Sequence, residues 1–461
     1  MTDLLERIAD IVGPQGLLTG EDVSGRAADF MGLTRVQAKA IVRPASTEEL
    51  SAVMKLCHAA GQVVVPAGGN TGLVQGNVCT PDDIQISLER MRGIEEVDPV
   101  GRTMTVGAGC PVQAAQEAAL EYGLIFPVDW GARGSATIGG GISTNAGGNS
   151  VVRYGMMRDS VLGLEVVLAD GTVISAMNHL IKNNAAYDLK HLFIGSEGTL
   201  GIVTRAVLKL QPAPLSTSTA LVALDSFDAV QTLFVEAGKR LGPGLTAFEV
   251  MWANYYEPIA IGTGRHTPPL PGGHGFYVIV ELSGTDPDGD PPRFEALLAD
   301  LIEREVAADA VLAASQTQAA QIWAIRDDIE ALFHYAMPSV TFDVSLPIRT
   351  MDGYVTALEA SARAALGETM KLVVFGHMGD GNLHILLGAQ PFDAGMKHRI
   401  EELVFTPLQA LGGSISAEHG IGLEKRQWLH LSRSPEELAL MRTLKAAMDP
   451  LGLLNPGKVL P

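Results

Sequence analysis

The chain has 461 residues, 47% of them hydrophobic, which is enough for two or more domains with large cores. Its formal net charge of −19 argues against a nucleic-acid partner and against binding to an anionic membrane surface. The three cysteines, Cys57, Cys79 and Cys110, have no CxxC spacing, so we expect neither disulfides nor a cysteine-rich metal site.

The apolar runs and the N-terminus bear on the location of the protein. No apolar run approaches the ~18 residues that span a bilayer. The acidic start, MTDLLERIADIVG, lacks the basic and cleavage regions of a signal peptide. We therefore expect a cytoplasmic protein with no transmembrane segment.

The N-terminal half predicts an α+β region. Ser46 and Glu49 form a capping-box pattern, so a helix should begin there and run to about Ala60. An Asp-Gly pair at 170–171 predicts a hairpin turn. The other predicted elements are strands at 41–43, 62–66, 84–88 and 103–107 and a helix at about 112–122. The region ends near Pro212 and Pro214, which indicate a linker.

The C-terminal half again alternates strands and helices, starting from about residue 218. Strands are predicted at 276–284, 340–346 and 371–377, and helices at 293–308, 318–334 and 435–448. No internal repeat and no low-complexity tract interrupts this pattern.

Two glycine-rich segments predict a ligand that lies along the backbone. PAGGNTG (66–72) follows a strand and exposes backbone N–H groups, which suit an oxyanion such as a pyrophosphate. PVDWGARGSATIGGGISTNAGGNS (127–150) is rich in small residues, which let the main chain approach a long ligand closely. An ordinary tight turn and an Ω-loop without a ligand are the alternatives. The absence of GxGxxG disfavours a nicotinamide-binding Rossmann domain.

Two further motifs predict a metal site with a catalytic base. In VVFGHMGDGNLHILL (373–387), His377 and His384 lie on either side of a turn, and SISAEHGIG (414–422) adds Glu418 and His419. Two imidazoles and a carboxylate would bind Zn²⁺ or Mn²⁺ and leave positions open for a substrate. His419 could then remove a proton as general base. Two structural histidines, or a metal-dependent hydrolase without flavin, are the alternatives.

These motifs together resemble a known family. PAGGNTGL, PVDWGARGSATIGG, STNAGG, LGLEVVLADGTV and GSEGTLGIVT are similar to the FAD-binding domain of the vanillyl-alcohol oxidase/p-cresol methylhydroxylase (PCMH) superfamily. GHMGDGNLH, SAEHGIG and the terminal LNPGK resemble its D-lactate and D-2-hydroxyglutarate dehydrogenase branch, the FAD-dependent D-2-hydroxyacid dehydrogenases. The resemblance implies an α+β fold with a two-subdomain PCMH-type domain at 1–214. It also implies a cap or substrate domain with an antiparallel sheet and the metal site at 215–425, and a helical segment at 426–461 that returns to the FAD domain.

The resemblance also implies which residues hold FAD, and that FAD is bound non-covalently. Backbone of the two glycine-rich segments and of the GSEGTLGIVT motif would hold the cofactor, and the C-terminal Asn455 would reach the flavin. The implied residues are Pro66, Gly68, Gly69, Asn70, Thr71, Gly72, Pro127, Asp129, Gly134, Ser135, Thr137, Gly140, Ser143, Asn145, Gly147, Gly148, Glu197, Gly198, Ile202 and Asn455.

The family further implies the substrate contacts. Arg326 would bind a substrate carboxylate and His419 the reacting hydroxyl, whereas a surface salt bridge from Arg326 to Asp327 or Glu330 is the alternative. The glutarate enzymes have threonine, lysine and asparagine where this chain has Glu330, Thr341 and Leu386. A negative Glu330 would repel a second carboxylate unless it is paired. These departures favour D-lactate or another monocarboxylic 2-hydroxy acid over D-2-hydroxyglutarate.

The partners follow from the same reading. Electrons would pass from the flavin to a quinone, a cytochrome or an electron-transfer flavoprotein rather than to NAD. A homodimer is compatible with the sequence. A non-catalytic flavin- or metabolite-binding protein is the remaining alternative to an enzyme.

Overall fold

The computed structural model describes residues 2–29, 32 and 34–461. The Cα positions group the chain into two units. Unit 1 contains Met1–Gly147, Gly155–Ala213 and Glu418–Pro461, and unit 2 contains Gly148–Tyr154 and Pro214–Ala417. None of the helices in the described part of the chain is both long and apolar enough to cross a membrane.

The elements up to residue 212 are mostly short. They are α1 (Thr2–Val12), β1 (Leu17–Leu18), α2 (Glu21–Ser24), β2 (Ala40–Val42), α3 (Thr47–Ala59), β3 (Val64–Ala67), β4 (Ile84–Ser87), β5 (Ile94–Asp98), β6 (Thr103–Gly107), α4 (Val112–Leu120), β7 (Leu124–Ile125), α5 (Ile138–Thr144), α6 (Val151–Tyr154), β8 (Val161–Val167), β9 (Val173–Ala176), α7 (Lys190–Phe193), β10 (Ile202–Lys209) and β11 (Gln211–Pro212).

Longer strands and helices follow. They are β12 (Ser216–Leu224), α8 (Phe227–Leu241), β13 (Leu245–Trp252), α9 (Ala253–Tyr256), β14 (Phe276–Gly284), α10 (Asp290–Glu303), β15 (Asp309–Leu312), α11 (Gln316–Arg326), α12 (Ile329–Ala336), β16 (Val340–Ser345), α13 (Met351–Leu366), β17 (Lys371–His377), β18 (Asn382–Gly388), α14 (Ala394–Leu411) and α15 (Pro435–Met448).

Unit 1 contains two main sheets, as expected for a domain with two subdomains. One has the order β1-β2-β4-β3, in which β2 and β3 both run parallel to β4. The other has the order β5-β6-β10-β8-β9 and is antiparallel throughout. The predicted capping residues do begin α3, because Ser46 Oγ accepts from the Glu49 N–H at 3.2 Å. The predicted hairpin joins β8 to β9.

The C-terminal segment of unit 1 returns to β3. The Val64 N–H donates to Leu453 O at 2.8 Å, and the Asn455 N–H donates to Val64 O at 2.8 Å. Leu454 is fully buried in the core that these strands share. These bonds fix the residues after α15 beside the strand that leads into PAGGNTG.

Unit 2 is built on one antiparallel sheet with the order β15-β12-β14-β13-β17-β18-β16. On one face, Phe248 of β13 packs against Phe234 of α8 with ring centroids 4.9 Å apart. Because side chains alternate along a strand, Glu249 and Met251 project from the other face. That face carries the apolar cluster that includes Ile325 of α11. The α+β class and the antiparallel cap sheet predicted from the sequence are confirmed.

Candidate active site

The structure brings the two predicted glycine-rich segments of unit 1 together. A Cβ atom on Gly69 would lie 2.0 Å from Ser135 O, and one on Gly68 would lie 2.8 Å from Thr137 Oγ1. A side chain at either glycine would therefore collide with the other segment, so the close contact between the segments requires glycine at both positions. Gly72, in contrast, has no heavy atom of the described residues within 4 Å of a Cβ position apart from its chain neighbours, so the backbone there is open toward them. Asn70, between Gly69 and Gly72 in the sequence, has φ of 56°, a left-handed conformation.

The part of the second segment that forms α5 is helical, and Thr137 caps this helix by accepting from the Gly140 N–H at 3.2 Å. Its polar side chains have partners nearby: Asp129 binds Arg133 at 2.8 Å, and Ser143 Oγ donates to Gly139 O at 2.7 Å. These side chains therefore make their hydrogen bonds within the segment itself, which leaves its backbone groups to contact a cofactor. Pro127, Gly134, Asn145 and Gly147 also lie in unit 1, whereas Gly148 begins the short stretch that belongs to unit 2.

Glu197 connects two motifs that are far apart in sequence. Its carboxylate accepts from the Ile421 N–H at 2.7 Å and from the Gly422 N–H at 2.8 Å, directly after His419 and Gly420. Burial raises the pKa of Glu197, and these two hydrogen bonds offset part of the rise. The predicted cofactor residue therefore uses its side chain to hold the segment that carries the proposed base.

Asn455 lies against the same loop. Its Nδ2 donates to Glu197 O at 2.8 Å and to Gly76 O at 3.1 Å. Its Oδ1 is buried and has no hydrogen-bond partner among the described residues. Gly198 packs on Pro66, and Ile202 begins β10. A buried acceptor without a partner fits a donor on a bound flavin, because such atoms are otherwise costly.

The predicted metal ligands converge. β17 and β18 pair with Phe375 opposite His384, and His377 lies on the same sheet face as Phe375 because alternate residues share a face. The two histidine rings are 5.1 Å apart between centroids. One ligand atom from each of His377, His384 and Glu418 lies within 4.8 Å of the others. This donor set and spacing suit a divalent transition metal.

Two neighbours of His377 complete the geometry on this face of unit 2. Glu249 of β13 pairs with His377 in register, and His377 Nδ1 donates to Glu249 Oε1 at 2.6 Å. Arg326 Nε donates to Glu249 Oε2 at 3.0 Å, and Arg326 Nη2 donates to His377 Nε2 at 3.3 Å. Burial opposes ionisation of Glu249, but the facing His377 and Arg326 lower its pKa overall. Arg326 thus lies in a buried cluster. Of the alternative surface salt bridge to Asp327 or Glu330, the structure shows a contact of 3.3 Å with Asp327.

Glu249 was not predicted as a site residue. Its signal in the sequence is a single acidic residue within the apolar strand LTAFEVMW. Because carboxylates are almost never fully buried without a partner, such a residue indicates a paired group. The partner itself could not be read from the sequence.

The single helix predicted at 318–334 is wrong, because the chain breaks into α11 and α12 after Arg326. Asp328 caps α12 by accepting from the Ala331 N–H at 3.0 Å. The Tyr255 hydroxyl lies 3.0 Å from Ile325 O and 2.7 Å from Arg326 O, which it satisfies at the end of α11. The break places Arg326 at a helix end that is held by a buried tyrosine.

The segment before Glu418 is fixed within unit 2. The Ala417 N–H lies 3.2 Å from Asp343 O and 3.1 Å from Asp343 Oδ2, and Ser345 pairs with Ser414. Asp343 is fully buried in β16, opposite His384. His419 is half-buried, and Gly420 after it has φ of 83°.

The positions that depart from the glutarate pattern have different surroundings. Glu330 is exposed and pairs with Arg265 at 2.9 Å, so the expected repulsion of a second carboxylate by Glu330 does not hold. Thr341 and Leu386 are direct cross-strand partners. Leu386 is 1% exposed and belongs to the apolar cluster with Phe375.

Comparison with known protein families agrees with both halves of the chain. A model of the FAD binding domain matches residues 38–176, and a model of the C-terminal domain of FAD linked oxidases matches residues 213–459. A probable mitochondrial D-2-hydroxyglutarate dehydrogenase of Oryza sativa subsp. indica is 39% identical, over 100% of this chain and 82% of its own. The D-2-hydroxyglutarate dehydrogenase of Xanthomonas citri pv. viticola is 41% identical, over 91% and 89% of the two chains. A D-2-hydroxyglutarate–pyruvate transhydrogenase of Saccharomyces cerevisiae is 36% identical, over 95% and 90%.

Solved structures share the fold at low identity. p-Cresol methylhydroxylase superposes with a TM-score of 0.75 at 15% identity, covering 99% of this chain and 96% of that one. Alkyldihydroxyacetonephosphate synthase superposes with a TM-score of 0.75 at 16% identity, covering 99% and 84%. The PCMH-type fold predicted from the glycine motifs is confirmed.

Proposed function

Since this chain belongs to the FAD-linked oxidase family, in its D-2-hydroxyacid dehydrogenase branch, we propose that it oxidises a D-2-hydroxy acid to the 2-oxo acid with the help of a divalent metal. The observation that carries the proposal is the convergence of His377, His384 and Glu418 directly before His419. A hydrolase without flavin would leave the matched FAD-binding domain unused.

The FAD-binding residues of unit 1 fit a non-covalent cofactor. The open backbone at Gly72 and the unpartnered Oδ1 of Asn455 are the two features that support it. A flavin held by these residues would supply a hydride acceptor for C2 of the substrate. The protein contributes position, because Glu197 and Asn455 hold the loops around the glycine-rich segments.

The roles of the polar side chains follow from their chemistry. His377, His384 and Glu418 would hold Zn²⁺ or Mn²⁺, which when bound lowers the pKa of the substrate hydroxyl. His419 takes the hydroxyl proton as general base. Arg326 binds the substrate carboxylate, for which a guanidinium offers paired N–H donors.

The apolar surroundings of Leu386 support a substrate with one carboxylate. A second carboxylate near Leu386 and Phe375 would need a buried cation, and neither Thr341 nor Leu386 supplies one. We therefore propose D-lactate or a longer monocarboxylic D-2-hydroxy acid. The relatives named after D-2-hydroxyglutarate make that diacid the competing candidate.

The acceptor and the compartment belong to the same proposal. A quinone, a cytochrome or an electron-transfer flavoprotein would reoxidise the flavin. Because one yeast relative is named a transhydrogenase for pyruvate, a 2-oxo acid is a further acceptor class to compare. The cytoplasmic location and the homodimer stay predictions.

Anaerobic bleaching of the flavin absorbance tests the proposal. The protein is mixed with D- and L-forms of lactate, 2-hydroxybutyrate, malate and 2-hydroxyglutarate, with and without a chelator. We expect bleaching by the D-monocarboxylic acids and a loss of rate after metal removal. Bleaching by D-2-hydroxyglutarate alone would refute the substrate class, and no bleaching by any 2-hydroxy acid would refute the function.

A further inference from the structure

Glu249 has one partner on each carboxylate oxygen, and both partners belong to the proposed active site. Oε1 accepts from His377 Nδ1 at 2.6 Å, and Oε2 accepts from Arg326 Nε at 3.0 Å. Glu249 is 1% exposed and lies directly opposite His377 in the sheet. A carboxylate buried to this extent is tolerated only when its charge is paired and hydrogen-bonded.

The first contact determines which nitrogen of His377 can bind a metal. An ionised carboxylate only accepts hydrogen bonds, so Nδ1 must carry a proton, and in the neutral ring that a metal requires the lone pair is then on Nε2. Histidines that bind metals commonly have their second nitrogen held by a carboxylate in this way. Glu249 therefore sets the tautomer of His377 that a metal requires.

The second contact keeps Arg326 in place independently of the metal. Arg326 Nη2 lies 3.3 Å from the same His377 Nε2. One lone pair cannot both accept from Arg326 and bind a metal, so this hydrogen bond must end when a metal binds. The bond from Arg326 Nε to Glu249 is unaffected, and Nη2 is then available to a carboxylate.

We propose that Glu249 is a positioning residue that orients the metal ligand His377 and the substrate-binding Arg326 with a single carboxylate. This inference rests on the proposed function, since it assumes the roles given to those two residues. It assigns to Glu249 no contact with the substrate, the flavin or the metal.

The variant Glu249→Gln can accept only one of the two hydrogen bonds, from His377 or from Arg326, because an amide has one accepting oxygen. The charged Arg326 attracts that oxygen, so the amide N–H₂ would face His377 Nδ1. That arrangement favours the tautomer with the proton on Nε2, which cannot bind a metal. In the double variant Glu249→Gln with Arg326→Met, the oxygen is again available to His377 Nδ1.

Glu281 provides a matched control. It is a partly buried carboxyl group on the neighbouring strand β14, and it accepts from Trp323 of the same helix α11 at 3.1 Å. Its other partners are the hydroxyl groups of Thr219 and Thr246. Glu281→Gln thus replaces a carboxyl group of the same sheet without touching His377 or Arg326.

The experiment titrates Zn²⁺ against a chromophoric chelator in the FAD-loaded full-length proteins. We expect Glu249→Gln to bind Zn²⁺ about 10–100-fold more weakly than wild type. Glu281→Gln should match wild type, and the double variant should recover most of the affinity. Bound FAD and the far-ultraviolet circular dichroism spectrum report the fold of each variant. In a second measurement, ¹⁵N chemical shifts of the histidine rings in metal-free protein should show the tautomer of His377 reversed only in Glu249→Gln.

Equal Zn²⁺ affinity in wild type and Glu249→Gln would overturn the inference, as would a double variant as weak as the single one. If Glu249→Gln does not fold, the double variant provides the test. A Zn²⁺ affinity near that of wild type in the double variant supports the inference, and loss of Zn²⁺ binding refutes it. If wild type binds no Zn²⁺ or Mn²⁺, the role of Glu249 fails with the proposed metal. Flavin bleaching by a D-2-hydroxy acid would still stand as a separate result.

Discussion

Replacing Glu197 with glutamine tests whether a partly buried carboxylate holds the segment that carries His419. The two oxygens of Glu197 accept from the backbone N–H groups of Ile421 and Gly422 at 2.7 and 2.8 Å. A Cβ on Gly420 would lie only 2.8 Å from Glu197 Oε1, so carboxylate and backbone are in close contact there. In Glu197→Gln, one amide oxygen remains, and the amide N–H₂ faces the other N–H group.

The size of the effect can be worked from these contacts. A hydrogen bond to a charged acceptor contributes about 1.5–3 kcal/mol, and a buried donor left without a partner costs about 1–3 kcal/mol. Glutamine avoids the cost of burying a charge, which is the reason that the pKa of Glu197 is raised, so part of the loss is offset. We expect a net cost of about 1–3 kcal/mol for holding the segment, or a ~5–150-fold larger population in which it is open.

Two measurements detect this opening. Hydrogen exchange at the amides of Ile421 and Gly422 should accelerate by that factor, because local opening limits exchange. The rate of anaerobic flavin reduction should fall, since His419 is adjacent to the loosened backbone, while FAD stays bound.

Glu165→Gln is the comparison variant. Glu165 is a buried carboxylate of unit 1, but it accepts from the hydroxyl of Thr47 at 2.6 Å and faces Arg205 at 3.4 Å rather than contacting residues 420–422. It should change global stability without changing exchange at Ile421. Unchanged exchange and an unchanged reduction rate in Glu197→Gln would refute the reasoning.

Two further predictions concern the base and the stability in acid. His419→Asn should lose about 10²–10⁴-fold in the rate of flavin reduction while FAD stays bound, and a normal rate would exclude His419 as the base. Burial raises the pKa of Glu89, but hydrogen bonds from Arg26 and Arg43 lower it overall, from 4.5 to about 2. Its stabilisation is therefore present above about pH 4.5 and is lost as the pH falls toward 2; with the side chain 38% exposed, screening reduces it to about 1–2 kcal/mol. Unfolding in urea should separate wild type from Glu89→Gln by this amount at pH 7 and not at pH 2, and a difference independent of pH would contradict the assignment.

Local patterns in the sequence carried much of the structure. Ser46 and Glu49 begin α3 as predicted, and the turn between His377 and His384 joins two paired strands. These features depend on residues close in sequence, whose geometry follows from capping and strand alternation. The proximity of His377 and His384 was predictable because both histidines lie on one hairpin, and their role as metal ligands stays a prediction.

The supporting carboxylates were not predictable, because their partners are distant in sequence. Glu249 and His377 are 128 positions apart, and Glu197 and Ile421 are 224 apart. The break after Arg326 was missed for the same reason, since Tyr255 satisfies carbonyl groups about 70 residues away. A propensity argument for one continuous helix does not include a tyrosine from another element.

Thr341 and Leu386, two of the positions that differ from the glutarate pattern, are paired across neighbouring strands, so the two differences affect the same place in the structure. In an antiparallel sheet, directly opposed side chains lie about 4.5–5.5 Å apart at Cβ, so the chemistry of one constrains the other. Leu386 is packed in the apolar cluster with Phe375 and Val373. A lysine at 341 would then stand beside a leucine, which offers its charge no hydrogen-bond acceptor, whereas the asparagine of the glutarate pattern would offer one. The loss of the cation and the gain of the apolar residue are therefore mutually consistent, and both support the proposal of a substrate with one carboxylate.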